Sequence, residues 1–377
     1  MSNPSNILVL GAGLVGQAMA LDMHRNGHRV VVADRDPQAL EGLKNRGLDL
    51  RETDFESPRL DDLLSRADLV IGAAPGALGY RLMERVIDAG RNLVDISFCP
   101  EDFMDLDRKA RDRGLCVVAD MGVAPGMCNA LLGFHDAHME VESYRCLVGG
   151  LPFRREWPLE YKSSWSPMDC LEEYIRPARF RVDGEDVVRE ALSDQERVDC
   201  GPAGILEAWN SDGLRSLLSS FPHIPNLVEK TLRYPGTVDY LRVLRTLGYF
   251  STDPVEVGPQ SIRPIDLTAA LLFPRFRLEP GEGEFTYMMV EIRGREKGQP
   301  AGYRYSLYDE YHRESDTLSM ARCTGYTCTG VASMVLDGTL KETGVLPPER
   351  VATTQDRIDI LLNYLADRGV RYAKEAI

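Results

Sequence analysis

Short apolar runs alternate with stretches of helical spacing through the first third of the chain. Residues 7–10 are wholly apolar and run directly into Gly11-Ala12-Gly13-Leu14-Val15-Gly16. Residues 17–25 then repeat apolar positions at helical spacing and stop at Asn26-Gly27, where glycine permits the backbone turn that closes a helix. Residues 29–33 predict a second strand closing on Asp34, and 48–51 a weaker third followed by Asp54. Residues 67–72 predict a fourth leading to Ala74-Pro75, 92–96 a fifth followed by Ser97, and 115–119 a sixth closing on Asp120. Helical spacing fills 78–89 and 101–113. Strands apolar on both faces and separated by helices predict a parallel sheet covered on both sides.

The pattern changes after Asn129. Residues 138–147 alternate as a strand, and 180–189 predict a hairpin around Asp183-Gly184. Residues 285–293 and 303–311 predict paired strands joined by the polar loop 294–302. Helices are expected over 238–247 and 265–272, and again over 324–336 and 355–368, the last two packing back onto the first domain. The expected fold is therefore α/β. A Rossmann doubly wound parallel sheet over 1–125, completed by C-terminal helices within 323–377, is joined to an α+β substrate and dimerisation domain over 126–322.

The glycine run has the context that dinucleotide binding demands: a strand before it, a helix after it, and an acid at the end of the next strand. Gly11 permits the tight turn, Gly13 lets backbone approach a pyrophosphate, and Gly16 allows close helix–strand packing. The free N–H groups of the first helical turn, around Leu14 and Val15, face the phosphates. Asp34 would accept hydrogen bonds from the ribose 2′-OH and repel a 2′-phosphate, favouring NAD over NADP. Arg35 beside it could instead meet such a phosphate. Asp54, Ala74, Pro75 and Ser97 follow strands along the path of the cofactor. Gly122, Val123 and Asn129 are placed at the nicotinamide, Asn129 either on its carboxamide or as a helix cap.

A net charge of −14 excludes a phosphate-backbone partner, which needs clustered cations. Eight scattered cysteines without a C-x-x-C pair exclude zinc-ribbon spacing and fit reduced thiols, and six histidines show only His135 and His138 as a weak ligand pair, so no metal is expected. The opening MSNPSNILVL lacks a basic segment and a long apolar core, and no apolar run reaches membrane-spanning length. A cytoplasmic protein is expected.

Several short motifs, in order along nearly the whole chain, resemble the saccharopine dehydrogenase family. They are V-L-G-A-G-L-V-G, D-I-S-F after the fifth strand, M-G-V-A-P-G-M-C-N (121–129), G-G-L-P (149–152), P-L-E-Y-K-S-S-W-S-P (158–167), E-E-Y-I-R-P-A (172–178), S-D-G-L-R-S-L (211–217) and T-L-R-Y-P-G (231–236). Within that family the chain is most similar to lysine 6-dehydrogenases, in which E-E-Y-x-R-P-A and S-M-A-R-x-T-G-Y (319–326) recur. Saccharopine-forming members tend to carry an acid and a tyrosine where this chain has Ala124 and Phe98, and in the family generally R-Y-P-G is usually followed by histidine, where this chain has Thr237.

The resemblance implies oxidative deamination of the terminal amine of L-lysine to 2-aminoadipate 6-semialdehyde, which cyclises. Its alternatives are a saccharopine or carboxylated-polyamine dehydrogenase acting on a secondary amine, and a non-catalytic NAD-binding protein. A homodimer or higher homo-oligomer is implied as well. Such a reaction needs a base for the amine, and Asp120 and Lys162 are the candidates, Lys162 equally a cation for the substrate carboxylate. Arg176 and Arg233 could grip the remote carboxylate as a bidentate fork or form structural ion pairs. Glu173 or Asp212 could accept from the α-ammonium or be solvated carboxylates. Trp165 could offer its face to the substrate cation or pack in a core, and Asp95 could cap the turn after the fifth strand.

Overall fold

The computed structural model describes residues 4–377. Contacts divide the chain into two units: one runs up to His138 and takes in Met320–Val370, the other comprises Met139–Ser319 and Arg371–Ile377.

The first unit holds β1 (Asn6–Leu10), β2 (Arg29–Asp34), β3 (Asp49–Glu52), β4 (Leu69–Gly72), β5 (Asn92–Asp95) and β6 (Cys116–Val118). With a late strand, Gly344–Leu346, they form one sheet in which Gly344–Leu346 edges β6 and the order continues β5-β4-β1-β2-β3. Every pairing is parallel, and residues 7–10 lie between Val30–Ala33 on one side and Leu69–Gly72 on the other. This is the doubly wound order, and the direction of winding switches between β1 and β4, where such sheets bind ligands at their carboxyl ends. The core beneath is Leu8, Leu10, Val70, Leu93 and Val117 packed on Leu64, Leu82, Met83 and Val86 of the covering helices.

Helix α1 (Leu14–Arg25) follows the glycine turn. Its buried Asp22 accepts from Thr329 Oγ1 at 2.6 Å, Tyr364 Oη at 2.7 Å and Arg368 Nε at 2.6 Å. These three donors come from the C-terminal helices Ser319–Leu336 and Gln355–Ala366 and the turn after them. The late strand is three residues long, too short for periodicity to reveal.

The second unit contains β7 (Glu140–Pro152), β8 (Ala178–Val182), β9 (Glu185–Arg189), β10 (Glu196–Asp199), β11 (Ile205–Asn210) and β12 (Asn226–Arg233). A short separate hairpin, β13 (Val255–Val257) and β14 (Gln260–Ile262), precedes the long β15 (Glu284–Glu296) and β16 (Gln299–Glu310). Nine strands form a mixed sheet with β7 at its centre, parallel to β12 and antiparallel to β15, and the C-terminal strand Tyr372–Ala376 edges β16.

Two expectations change here. The polar segment 294–302 is mostly strand: β15 and β16 pair down to Glu296 opposite Gln299, leaving only Lys297 and Gly298 in the turn. Both have positive φ (51° and 79°), as a twist-matched two-residue hairpin requires. β7 also continues past 147 to Pro152, because Gly149 lets the neighbouring strand approach; a Cβ there would lie 2.7 Å from the Leu232 carbonyl oxygen.

Candidate functional site

In the first unit, the site begins at the glycine turn. Gly11 has φ +112°, and a Cβ there would lie 2.4 Å from the Ala73 carbonyl oxygen. A Cβ at Gly16 would lie 2.1 Å from the Gly11 carbonyl oxygen. Gly13 differs: no atom lies within 4 Å of its Cβ position, so the missing side chain leaves open space. Gly13 also caps α1 with no side chain to bond the first N–H groups of the helix, which have no partner within the helix itself. A pyrophosphate fits this cradle, since backbone donors and the positive helix end converge where a side chain would intrude.

The turn is held by Asp34. Its carboxylate accepts from the Ala12 N–H at 2.6 Å and the Asp36 N–H at 2.8 Å, and Arg35 beside it is exposed. Leu14 is exposed beside the cradle and Val15 half-buried. Asp54 lies beyond β3, exposed, accepting from the Glu56 N–H at 2.8 Å. Pro75 caps the helix Gly76–Asp88, next to the half-buried Ala74 and two residues past the Ala73 that packs on Gly11.

Two carboxylates close the carboxyl edge of the sheet. Asp95, at the end of β5, is fully buried and accepts from the Ser97 N–H at 2.7 Å and the Ser97 hydroxyl at 3.1 Å. Burial pushes its carboxyl up to about 7; the Ser97 hydrogen bonds pull it down, and the charge of Asp120 raises it further. Asp120 is also buried, and its φ of +53° is rare for a residue with a side chain. Its neighbour Met121 donates its N–H to the Asp95 carbonyl at 2.9 Å, tying the two strand ends together. Asp95 therefore does cap the turn, and burial gives it a second property that capping alone does not.

Gly122 and Val123 form a tight loop in which Gly126 (φ +133°) lies against the Gly122 backbone. Asn129 is buried within it: its side-chain oxygen accepts from the Gly126 N–H at 3.2 Å and its amide reaches Glu349 at 3.4 Å. The capping reading of Asn129 is the one its hydrogen bonds follow.

The second unit brings Glu173 and Arg233 together, but onto each other. Arg233 is 2% exposed and lies 3.2 Å from Glu173, with its guanidinium 4.1 Å from the Tyr161 ring centroid and further rings of Tyr174 and Trp209 around it. Burial lifts the Glu173 carboxyl and Arg233 pulls it back. Half-buried Trp165 packs against this same aromatic cluster. Arg176 sits half-buried at the end of the helix Pro167–Glu173, its N–H bonded to the Glu172 carbonyl. Asp212 is elsewhere, buried under a two-pronged contact from Arg179 at 2.9 Å. Thr237 donates its hydroxyl to the Leu159 carbonyl at 2.8 Å. Lys162, 7% exposed, donates to Glu282 at 2.6 Å. Glu156 lies 3.8 Å from the same ammonium, so Lys162 is held between two carboxylates.

Sequence reasoning passed over Asp22, Tyr161, Tyr174 and Cys170, all buried. Asp22 gave a signal: it lies three and four positions after Met19 and Ala18 on the apolar side of α1, a polar residue on a buried face.

Residues 7–118 match the sequence profile of the saccharopine dehydrogenase NADP binding domain, and 122–370 that of the saccharopine dehydrogenase C-terminal domain. The rat mitochondrial alpha-aminoadipic semialdehyde synthase is 26% identical over 67% of this chain, which spans 29% of that protein. The Pyricularia oryzae saccharopine dehydrogenase [NADP(+), L-glutamate-forming] is 22% identical over 91% of this chain and 93% of its own. Among solved structures, apo saccharopine dehydrogenase (L-Glu forming) from Saccharomyces cerevisiae shares the fold, with a TM-score of 0.79 at 20% identity over 99% of this chain and 100% of that one.

Proposed function

The chain belongs to the saccharopine dehydrogenase family, and on that premise we propose that it oxidises a carbon–nitrogen bond of a lysine-derived amine with a nicotinamide dinucleotide. The observation that carries this is the cradle at Gly11, Gly13 and Gly16, where two glycines are compelled by packing and the middle one is left open for a ligand.

The substrate we infer is L-lysine, attacked at its ε-carbon. The amine must be neutral before its lone pair can help expel hydride, so a base takes a proton. Bound nicotinamide supplies the hydride acceptor. Water then adds to the iminium carbon, ammonia leaves, and 2-aminoadipate 6-semialdehyde remains, which cyclises through its α-amine. Asp95 and Asp120 are the proton-handling pair in this reading: a carboxyl raised to about 7 chiefly by burial, and a little further by the charge of Asp120, exchanges protons at neutral pH. Lys162, Trp165 and Arg176 keep their place among the substrate-side residues, whereas Asp212 is taken up by Arg179. The buried pair Glu173–Arg233 supports a role in shaping that region rather than in touching the amino acid.

Saccharopine is the second reading, favoured by the names of the relatives. Phe98 and Ala124 argue against it, because neither offers the polar group expected beside a secondary-amine substrate. The Pyricularia oryzae relative carries NADP(+) in its name and the matched profile is that of an NADP binding domain, so the preference for NAD rests on Asp34 alone. The eight free, buried cysteines support a reducing compartment such as the cytoplasm, and a homodimer is part of the proposal. No described helix is long and apolar enough to cross a membrane.

Substrate-driven appearance of reduced nicotinamide absorbance tests the reading. L-lysine with NAD should drive it. A signal with saccharopine alone favours the second reading, and none with either amine overturns both.

A further inference from the structure

Half of the large apolar side chains exposed among the described residues fall in one stretch of the second unit, 237–276. The helix Thr237–Thr246 buries Val238 and Leu241 on one side and exposes Tyr240, Val243 and, at its C-cap, Leu247 on the other. Spaced by three and four, these exposed residues form one row. The helix Pro264–Phe276 repeats the arrangement: Ile265, Ala269 and Phe276 are buried, Leu267 and Leu271 exposed. A surface helix keeps its apolar residues to one stripe, and a helix apolar on opposite sides is one that is covered on both.

The two helices belong to one surface. The Thr268 hydroxyl donates to the Tyr249 carbonyl at 2.7 Å, the Ile265 N–H donates to the Ser251 carbonyl at 3.1 Å, and Tyr240 and Val243 line the same hollow as Leu272. The hairpin of β13 and β14, which links them, is a separate two-stranded sheet with Val255 and Val257 exposed. A hairpin of three-residue strands is marginal in water by itself, so it needs a second surface to lie on. With Tyr249, eight side chains about half accessible leave about 700 Å² uncovered, more than the about 300–600 Å² patch of an ordinary monomer and close to the about 800 Å² that each partner of a standard interface buries.

Charge decides what covers it. The hairpin end carries exposed Asp253 and Glu256, while Arg263 there is offset by Asp266 at 3.5 Å. The far end of the helix Pro264–Phe276 carries exposed Arg275 and Arg277, followed by Glu279. About 16 Å of helix separates the two ends, so the acids of one chain do not reach its own arginines along that helix. A two-fold axis across the helices lays each hairpin on the arginine end of the other copy and each apolar row on its counterpart. Two chains of net charge −14 repel, and such pairing offsets that repulsion where they meet.

We propose that this face is where a second copy of the chain docks, with the two copies antiparallel and each hairpin seated on the partner. The proposal rests on the homodimer in the proposed function and gives it a surface, and it uses no residue of the cofactor cradle or the proton-handling pair.

Sedimentation velocity of the full chain over a concentration series tests it. The parent should sediment as a dimer at micromolar concentration. Leu247→Glu/Leu271→Glu replaces two exposed side chains and should raise the dimer dissociation constant at least about tenfold, with an unchanged far-ultraviolet circular dichroism spectrum. Asp253→Lys/Glu256→Lys should weaken the dimer likewise, and Arg275→Glu/Arg277→Glu added to that chain should restore it, because the exchange rebuilds opposite charge between copies. Dimerisation unaltered by the leucine variant, or charge exchange without recovery, overturns this surface and leaves a homodimer through another face. A parent that stays monomeric overturns both the surface and the homodimer, whereas reduction of nicotinamide by the monomer would leave the proposed reaction intact.

Discussion

At Asp34 one carboxylate does two things: it holds the Ala12 and Asp36 N–H groups, and it places negative charge at the end of β2. Asp34→Ser keeps a short acceptor for the turn and removes the charge. The ratio of kcat/KM for NAD over that for NADP should fall by about tenfold or more, through relief of repulsion against a 2′-phosphate. An unchanged ratio would remove the basis for preferring NAD. Asp95 gives a pH prediction. Its folded carboxyl titrates near 7 against an ordinary 3.8, so between those values the folded state holds a proton that the unfolded chain has released. The stabilisation linked to that proton is complete below about 4 and is lost as pH rises through about 7. Asp95→Asn cannot ionise. Between about pH 5 and about pH 8 the parent should lose on the order of 3 kcal/mol relative to the variant, read from denaturant midpoints. Parallel curves for the two proteins would show that Asp95 is ionised throughout. The position of Asp95 was legible in the sequence, an acid ending a central strand; its burial was not, because burial depends on Gly72 and the residues across the sheet, a Cβ at Gly72 lying 1.8 Å from its carboxylate.

Among the elements, β1, β4 and β6 of the first sheet were legible because they are almost wholly buried and read as short apolar runs, whereas β3, at the sheet edge, is polar and mostly exposed and gave a weaker signal. The hairpin of β15 and β16 was only half legible. Glycines and a proline at 294, 298, 300 and 302 read as a loop, yet cross-strand pairing keeps 294–296 and 299–302 extended. The roles of Arg233 and Glu173 were not legible either, since sequence separates them by sixty positions and the fold makes them partners. Removing one member strands the other inside an aromatic box. Arg233→Met should therefore destabilise the chain by about 3–5 kcal/mol, and Glu173→Gln in the same background should recover part of that loss. A thermal midpoint for Arg233→Met equal to the parent's, with amino-acid affinity reduced, would instead make Arg233 a ligand-gripping residue. The staple of α1 makes a comparable case: Asp22→Ala leaves Arg368 without its carboxylate and should cost about 3 kcal/mol, measured by thermal melting.

For the whole molecule, the proposed chemistry requires a dinucleotide lying against the start of α1. Packing separates the three glycines into different roles. A side chain at Gly11 or Gly16 collides with backbone whether or not a ligand is present, whereas one at Gly13 enters open space. Gly13→Ala should thus leave stability within about 1 kcal/mol of the parent, the ordinary cost of alanine at a helix N-cap. The decisive measurement is a fluorescence titration of NADH into the purified parent chain and into Gly13→Ala. Saturable binding by the parent, weakened at least about tenfold in a variant of unchanged thermal midpoint, is the predicted result. Absence of saturable binding of either NADH or NADPH by the parent, or equal binding by parent and variant, would contradict it.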